Sequence, residues 1–375
     1  MSKTLALPFL IIFFSIGIKP AIAQDSINEV NFSKHERVPG YRKKKRKNPQ
    51  VFQGNKKKEN YFEGWYFKMV SNDQNSILSI IPGISLSENG EEQHAFIQVI
   101  NGTTAESSYF SFPIEEFYFS KDKFSIRIGD NYFSEDYIVL NLENSSTSIK
   151  GKVKMSNQVR LLKKNKREAI MGWYRFVPFM QCYHGLVSLN HNLTGTMTMN
   201  DTLHNFDQGI GYIEKDWGKS MPSAWVWIQS NSFDSENTSF MLSIANIPWL
   251  SGSFTGFLGF FLHEDSIHRF ATYTKAKLEL EPADSDTIRI SIIEKELTYN
   301  LEVYRSQSGV LKAPVKGSMD RRISESIDAN LHLTILDENA KTIFEETSSI
   351  TGLETVGDLQ ILSGKKRRKK RGKEN

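Results

Sequence analysis

Cysteine is nearly absent. Cys182 stands alone in 375 residues, which excludes an internal disulfide framework and any CxxC metal or redox site. Nucleotide-binding and hydrolytic signatures are missing too: there is no P-loop, Rossmann fingerprint, HExxH or GxSxG elbow. The eight histidines are scattered without metal-ligand spacing, and the close pair His263 and His268 falls in a polar, turn-like stretch. No metal is expected. Beyond the N-terminus no stretch is long and apolar enough to span a bilayer; Phe254–Leu262 has only nine residues against the ~20 required. No 12-residue stretch carries a convincing 3.6-residue period.

Positive charge looks abundant and is not. The formal net charge is +4, but Arg42–Lys47 is six consecutive bases and Lys365–Lys373 holds eight in nine positions. The other 33 bases face 43 acids, so the rest of the chain is −10, or −12 without Lys3 and Lys19 of the leader. The pattern reads as an acidic body with two basic tails. KKRRKKR resembles a nuclear or nucleic-acid patch, but the leader argues against nuclear entry and no nucleic-acid partner is expected. An anionic membrane surface fits the tails better, at about 1 kcal/mol per base; a plain solubilising role stays open.

The leader has three parts. Lys3 is a short positive region, Leu5–Ile18 an apolar run, and Ala21-Ile22-Ala23 a small-x-small site before Gln24. This predicts a signal peptide at 1–23, cleaved after Ala23, and a secreted, lumenal or periplasmic protein. Six N-x-S/T sequons, at Asn31, Asn101, Asn144, Asn192, Asn200 and Asn237, are close to what chance gives in so Asn-, Ser- and Thr-rich a chain.

What is present in quantity is aromatic: 25 Phe, 13 Tyr and 6 Trp, residues that favour strands. From Asn60 onward, short alternating segments recur every 8–12 positions, such as Ile77–Ile81, Ala95–Ile100, Phe124–Ile128 and Tyr137–Leu142. That is the pattern of an antiparallel sandwich or barrel rather than of βαβ units. Residues 24–58 are polar and basic with Pro39, Gly40, Pro49 and Gly54, and read as mostly extended or disordered. Two β-domains are expected, at 59–200 and 201–362, with a basic tail at 363–375. Met171–Leu189 reads as an irregular, well-packed connection. The aromatic strands at Gly64–Lys68 and Ala224–Gln229, each following an acidic motif, hint at an internal duplication.

Two acidic-aromatic clusters carry the chemistry. One is Tyr61-Phe62-Glu63-Gly64-Trp65-Tyr66-Phe67-Lys68; the other runs from Gly209 through Glu214-Lys215-Asp216-Trp217-Gly218 to Trp225, Trp227, Gln229 and Asn231. On a strand, Glu63, Trp65 and Phe67 share one face and Phe62, Tyr66 and Lys68 the other, while Trp225, Trp227 and Gln229 share a face. A carboxyl beside indoles in an apolar pocket is held protonated and acts as an acid; the rings stabilise a cation. The structural reading stands beside this one. Strand aromatics are usually core, an acid beside them is usually paired with Lys or Arg, and three adjacent charges in Glu214–Asp216 usually mark a solvated turn.

Together YFEGWYFK (61–68), GWYRFVPFMQCYHGLVSL (172–189) and GYIEKDWGKSMPSAWVWIQSNSF (211–233) resemble the signature stretches of the tocopherol cyclase family, and Gly352-Leu353-Glu354 fits its closing strand. The resemblance spans roughly residues 50–362. It implies an all-β fold of two antiparallel lipocalin-like barrel or sandwich domains side by side, related to carotenoid hydratases, around an apolar cavity for an isoprenoid. It also implies protonation of a prenyl double bond and capture of the tertiary cation by a phenol oxygen, with no cofactor. Glu63 or Asp216, then Glu214, are the expected proton donors; Trp65, Tyr66, Trp217, Trp225, Trp227 and Gln229 are expected to bind the substrate. Lys68 and Lys215 are placed to neutralise the acids instead. The resemblance departs at Asp216, where plant members usually carry Asn, and in the leader and tails. The alternative is a non-catalytic secreted carrier of a lipid or isoprenoid in the same cavity.

Overall fold

The computed structural model describes residues 30–161, 169–178, 180–281 and 287–363. The signal peptide expected at 1–23 and the basic run Lys365–Lys373 lie outside these residues. The described chain is almost wholly β, in two antiparallel sheets. The first has 13 strands, beginning at Phe32–Lys34 and ending in sequence at Ile210–Gly218; the second has 10, from Trp225–Ser230 to Thr342–Val356. Neither sheet closes on itself: the first runs from Phe32–Lys34 at one edge to Ser107–Pro113 at the other. Of the two architectures left open by the sequence, the open sandwich is the one adopted.

The polypeptide passes from the first sheet to the second between Gly218 and Trp225. Ile210–Gly218, which the sequence reading placed beyond the boundary at residue 200, is an inner strand of the first sheet. It is hydrogen-bonded between Cys182–Met199 and Tyr61–Val70. Glu214–Asp216 is therefore a buried strand and not the solvated turn that its three charges suggest. Likewise only the first part of Met171–Leu189 is irregular, a single 3₁₀ segment at Gly172–Phe176; from Cys182 it is an 18-residue strand.

Three apolar clusters account for the packing. One is enclosed by the first sheet and includes Trp65, Phe67, Phe119, Phe133 and Ile213. One is enclosed by the second, around Val226, Ile228, Leu242, Tyr299 and Leu333. The third draws on both sheets, with Tyr66, Tyr212 and Leu189 of the first meeting Trp225, Trp227, Phe260 and Ile323 of the second. The period-2 alternation explains this division. Along Tyr61–Val70, Glu63, Trp65 and Phe67 enter the first core, while Tyr66 and Val70 face the second sheet. Along Trp225–Ser230, Val226 and Ile228 enter the second core and the two indoles face the first sheet.

The segment read as disordered at 24–58 differs where it is described. Residues 30–58 contain a short strand, Phe32–Lys34, and a seven-residue helix, Tyr41–Lys47. Tyr41, Val51 and Phe52 are buried in the first core. The Tyr41 hydroxyl donates to the Phe52 carbonyl at 2.9 Å and the Trp65 indole N–H to the Gln50 carbonyl at 3.0 Å. Composition failed here because three apolar side chains and a few backbone groups anchor an otherwise charged stretch.

Candidate functional site

Between the sheets lies a cavity of about 200 Å³, partly open to solvent. Its walls are apolar: Met171, Met180, Met221, Trp225, Trp227, Phe254 and Phe257 are among them. Against that background His184, Glu214 and Asp216 of the first sheet and Glu354 of the second line the cavity, with Lys312 also among its lining residues.

Strand register assembles them. Cys182–Met199 pairs with Ile210–Gly218 so that His184 faces Asp216 and Leu186 faces Glu214. Tyr212, Glu214 and Asp216 alternate onto the cavity side, Ile213, Lys215 and Trp217 onto the core side. His184 Nδ1 lies 3.0 Å from Asp216 Oδ1, and Nε2 lies 3.5 Å from Glu214 Oε2. The second distance is that of an ion pair without a well-aligned hydrogen bond. Burial alone would lower the His184 pKa, but the Glu214 and Asp216 carboxylates override it and raise it to about 9. Glu214 accepts from the Tyr212 hydroxyl at 2.5 Å and the Trp227 indole N–H at 3.2 Å. Its own pKa is pushed up to about 7, chiefly by burial, with charged His184 pulling the other way and Asp216 adding to the rise. Asp216 is the group that reaches water, with 28% of its side chain exposed.

A second carboxyl group approaches from the other sheet. Glu354 accepts from the Trp225 indole N–H at 2.5 Å, and burial raises its pKa to about 7, the Trp225 hydrogen bond opposing. Behind it, Glu325 sits directly across the strand pair from Glu354 and accepts from the Tyr66 hydroxyl at 2.7 Å. Burial first, then the Glu354 charge, push the Glu325 pKa well above the usual carboxylate range. Gly352, two residues before Glu354, has a defined role: a Cβ there would come within 2.6 Å of the Trp227 ring. Its hydrogen is what lets that indole lie flat against the wall.

His184, Glu214 and Asp216 place one ligand atom each within 4.8 Å of one another, the group among the described residues that could hold a metal ion. A metal would require His184 to give up the proton its two carboxylate neighbours hold on it. The three groups form an acid-base set whose separations are hydrogen-bond and ion-pair lengths.

The residues singled out from sequence divide into two groups. Glu214, Asp216, Tyr66, Trp225 and Trp227 line the cavity. Glu63 does not; its neighbours Phe62 and Gly64 do, and strand parity turns Glu63 into the first core. There it accepts four donors: the Gln53 N–H at 2.9 Å, the Gly54 N–H at 3.0 Å, the Tyr61 hydroxyl at 2.5 Å and the Lys215 ammonium. Lys215 is the neutralising cation, as the bland reading had it. Trp65 is stacked on Phe124 in the same core at 5.4 Å, and Lys215 lies 4.3 Å from its ring centroid. Trp217 stacks on Tyr183, at 5.5 Å, away from the apolar cavity. Gln229 is buried behind the wall and accepts from Lys68 at 3.1 Å. Lys68 itself is held near pKa 7 by burial, which Glu325 partly offsets. Three site residues were missed: His184, Glu354 and the supporting Tyr212. His184 carried one usable signal, the alternation Cys182, His184, Leu186 at the start of its strand.

The tocopherol cyclase-like family profile matches residues 143–357, more than half of the chain. Among curated proteins, the chain is 30% identical over 70 residues to tocopherol cyclase, chloroplastic, of Zea mays, which is 19% of this chain and 15% of that protein. It is 26% identical over 81 residues to probable tocopherol cyclase, chloroplastic, of Oryza sativa subsp. japonica, covering 22% and 17%. The matched stretch thus spans less than a fifth of either relative's length. Among solved structures, CghA with Sch210972 superposes with TM-score 0.49 at 10% identity, covering 79% of this chain and 89% of that one. Kievitone hydratase from Nectria haematococca gives 0.48 at 9%, covering 79% and 89%.

Proposed function

The chain belongs to the tocopherol cyclase-like family, and from that premise we propose that it is an enzyme that protonates a prenyl-type double bond and adds oxygen to the resulting cation. Glu214 is the proton donor. The observation that carries this reading is a buried carboxyl, its pKa raised to about 7, facing an apolar cavity among indole rings and linked through His184 to the partly exposed Asp216.

The step balances as follows. The Glu214 O–H bond breaks and its proton goes to the less substituted alkene carbon, leaving a tertiary cation. Trp225 and Trp227 line the cavity, and an indole π-face attracts that charge. An oxygen nucleophile then forms the C–O bond and loses its own proton, which returns to Glu214. A phenol hydroxyl of the same molecule gives ring closure; a water gives hydration. Tyr212 and Trp227 donate to the carboxylate formed in the middle of the cycle, which is where their hydrogen bonds count most. Charged His184 stabilises the same anion, and Asp216 holds its ring in place. The substrate class is a hydrophobic isoprenoid, with a prenylated benzoquinol as the first candidate.

The test is incubation with a prenylated benzoquinol in D₂O, with mass analysis of any chromanol. One deuterium on the ring-closed carbon skeleton is the expected result. Glu214→Gln removes the proton but keeps the shape, and turnover is expected to fall roughly 10²–10⁴-fold with the melting temperature preserved. Because the donor form disappears as pH rises through about 7, kcat/KM is expected to fall about tenfold per unit above it. A ligand that co-purifies intact, and no turnover by wild type, would overturn this reading in favour of a carrier.

A further inference from the structure

A second cavity adjoins the first, and nothing in the proposed chemistry uses it. Arg42, Lys45, Arg46, Lys57, Arg175 and Lys219 all line it. They arrive from four separate parts of the chain: the Tyr41–Lys47 helix, the turn before Tyr61, the 3₁₀ segment Gly172–Phe176, and the end of Ile210–Gly218. Among the described residues no acid lines this cavity, and none of the six cations makes a salt bridge. The nearest buried acid, Glu63, is already committed to Lys215. Lys45 has its pKa lowered to about 8, first by burial; the Glu63 charge opposes this, and Lys56, Lys57 and Lys215 add to the lowering.

Six like charges held around one concavity without counter-charge repel one another and focus a positive potential into it. Their convergence also decides what they fit. A nucleic acid or a bilayer needs a stripe or a flat face of charge; this is a concave, half-open pocket of about 570 Å³. Its remaining wall is Tyr61, Trp217, Phe176 and Met180, and it meets the apolar cavity at Met180, Tyr183 and His184, which line both.

We infer that this cavity is a binding site for a multivalent phosphate group, a diphosphate above all, whose charges the converging Arg and Lys side chains neutralise. Arginine forks take phosphate oxygens two at a time, and lysines add point charges. Because Met180, Tyr183 and His184 border both cavities, the diphosphate can be free or can be the head of an isoprenoid whose tail reaches past them between the sheets. The inference does not depend on Glu214 acting as an acid, since Glu214 does not line this cavity.

The experiment is calorimetric titration of the full-length protein with inorganic pyrophosphate, with geranylgeranyl diphosphate, and with geranylgeraniol as the uncharged control. Saturable, salt-sensitive pyrophosphate binding is expected. Arg42→Gln with Arg46→Gln, both exposed on the helix, is expected to weaken it at least about tenfold, the loss carried by one charge-assisted hydrogen bond, with an unchanged melting temperature. Lys219→Gln, on a different segment, gives the same direction. Geranylgeranyl diphosphate binding tighter than both pyrophosphate and the alcohol identifies an amphiphile's head group; equal affinity with pyrophosphate identifies the free anion. Either supports the site. Failure of both phosphates to bind, or equal affinity in wild type and both variants, overturns it.

Discussion

Two glutamates in adjacent strands meet opposite fates, and the difference lies in their partners. Glu63 and Glu214 are both buried. Glu63 is matched by an ammonium, two backbone N–H groups and a phenol, a set that a carboxylate satisfies fully. Glu214 has two neutral donors and shares His184 with Asp216, so burial keeps its proton on. The first is a structural clamp and the second an acid. Glu63→Gln is therefore expected to lower stability by about 3–5 kcal/mol, because Lys215 is left charged and buried without its partner. Urea unfolding of the variant measures this directly. Turnover per folded molecule retained by Glu63→Gln would fit the clamp; turnover lost with stability intact would reinstate Glu63 as an acid. Sequence alone could say that Glu63 and Tyr66 point to opposite faces. It could not say which face meets a core and which meets a cavity, because that depends on the second sheet.

At the scale of strands, the site is a product of register across long sequence separations. His184 opposes Asp216, Trp227 opposes Glu354, and Glu325 opposes Glu354. The β character, the aromatic words and the acid-bearing strand were legible, since alternation and residue type are local. The pairing of Trp225–Ser230 with Thr342–Val356 was not, since more than a hundred residues separate them and no local feature names the partner. Hence Glu354 escaped, although the segment around it was recognisable. Its pKa near 7 against an ordinary 4.5 has a thermodynamic consequence. Between those values the folded state binds the extra proton, so its contribution to stability is complete below about 4.5 and is lost as pH rises through about 7. Glu354→Gln removes that titration. The variant's urea midpoint is expected to decline less than the wild type's between pH 5 and pH 8, and parallel curves would show that Glu354 is ionised throughout.

Over the whole molecule, the charge map and the packing converge on residues 30–58. The six bases at 42–47 looked like a detached tail balancing an acidic body. They form a helix beside the Glu63 clamp, and three of them wall the second cavity. The segment closes the first sheet's core with Tyr41, Val51 and Phe52, worth about 1.5–3 kcal/mol for each large side chain fully buried. It also supplies the Gln53 and Gly54 N–H groups to Glu63 and the Val51 carbonyl to Lys215. A chain beginning at Glu59 keeps every strand from Tyr61 onward but exposes the Glu63–Lys215 pair and one side of Trp65. Loss of several kcal/mol from a total of about 5–15 is expected to lower the melting temperature by many degrees or to leave the protein aggregated. Expression of that shortened chain, followed by thermal unfolding, checks it. Adding a peptide of residues 30–58 in trans should restore part of the stability if the packing described here is the cause. An unchanged melting temperature would mean that the two sheets suffice for the fold and that the basic segment serves the second cavity alone.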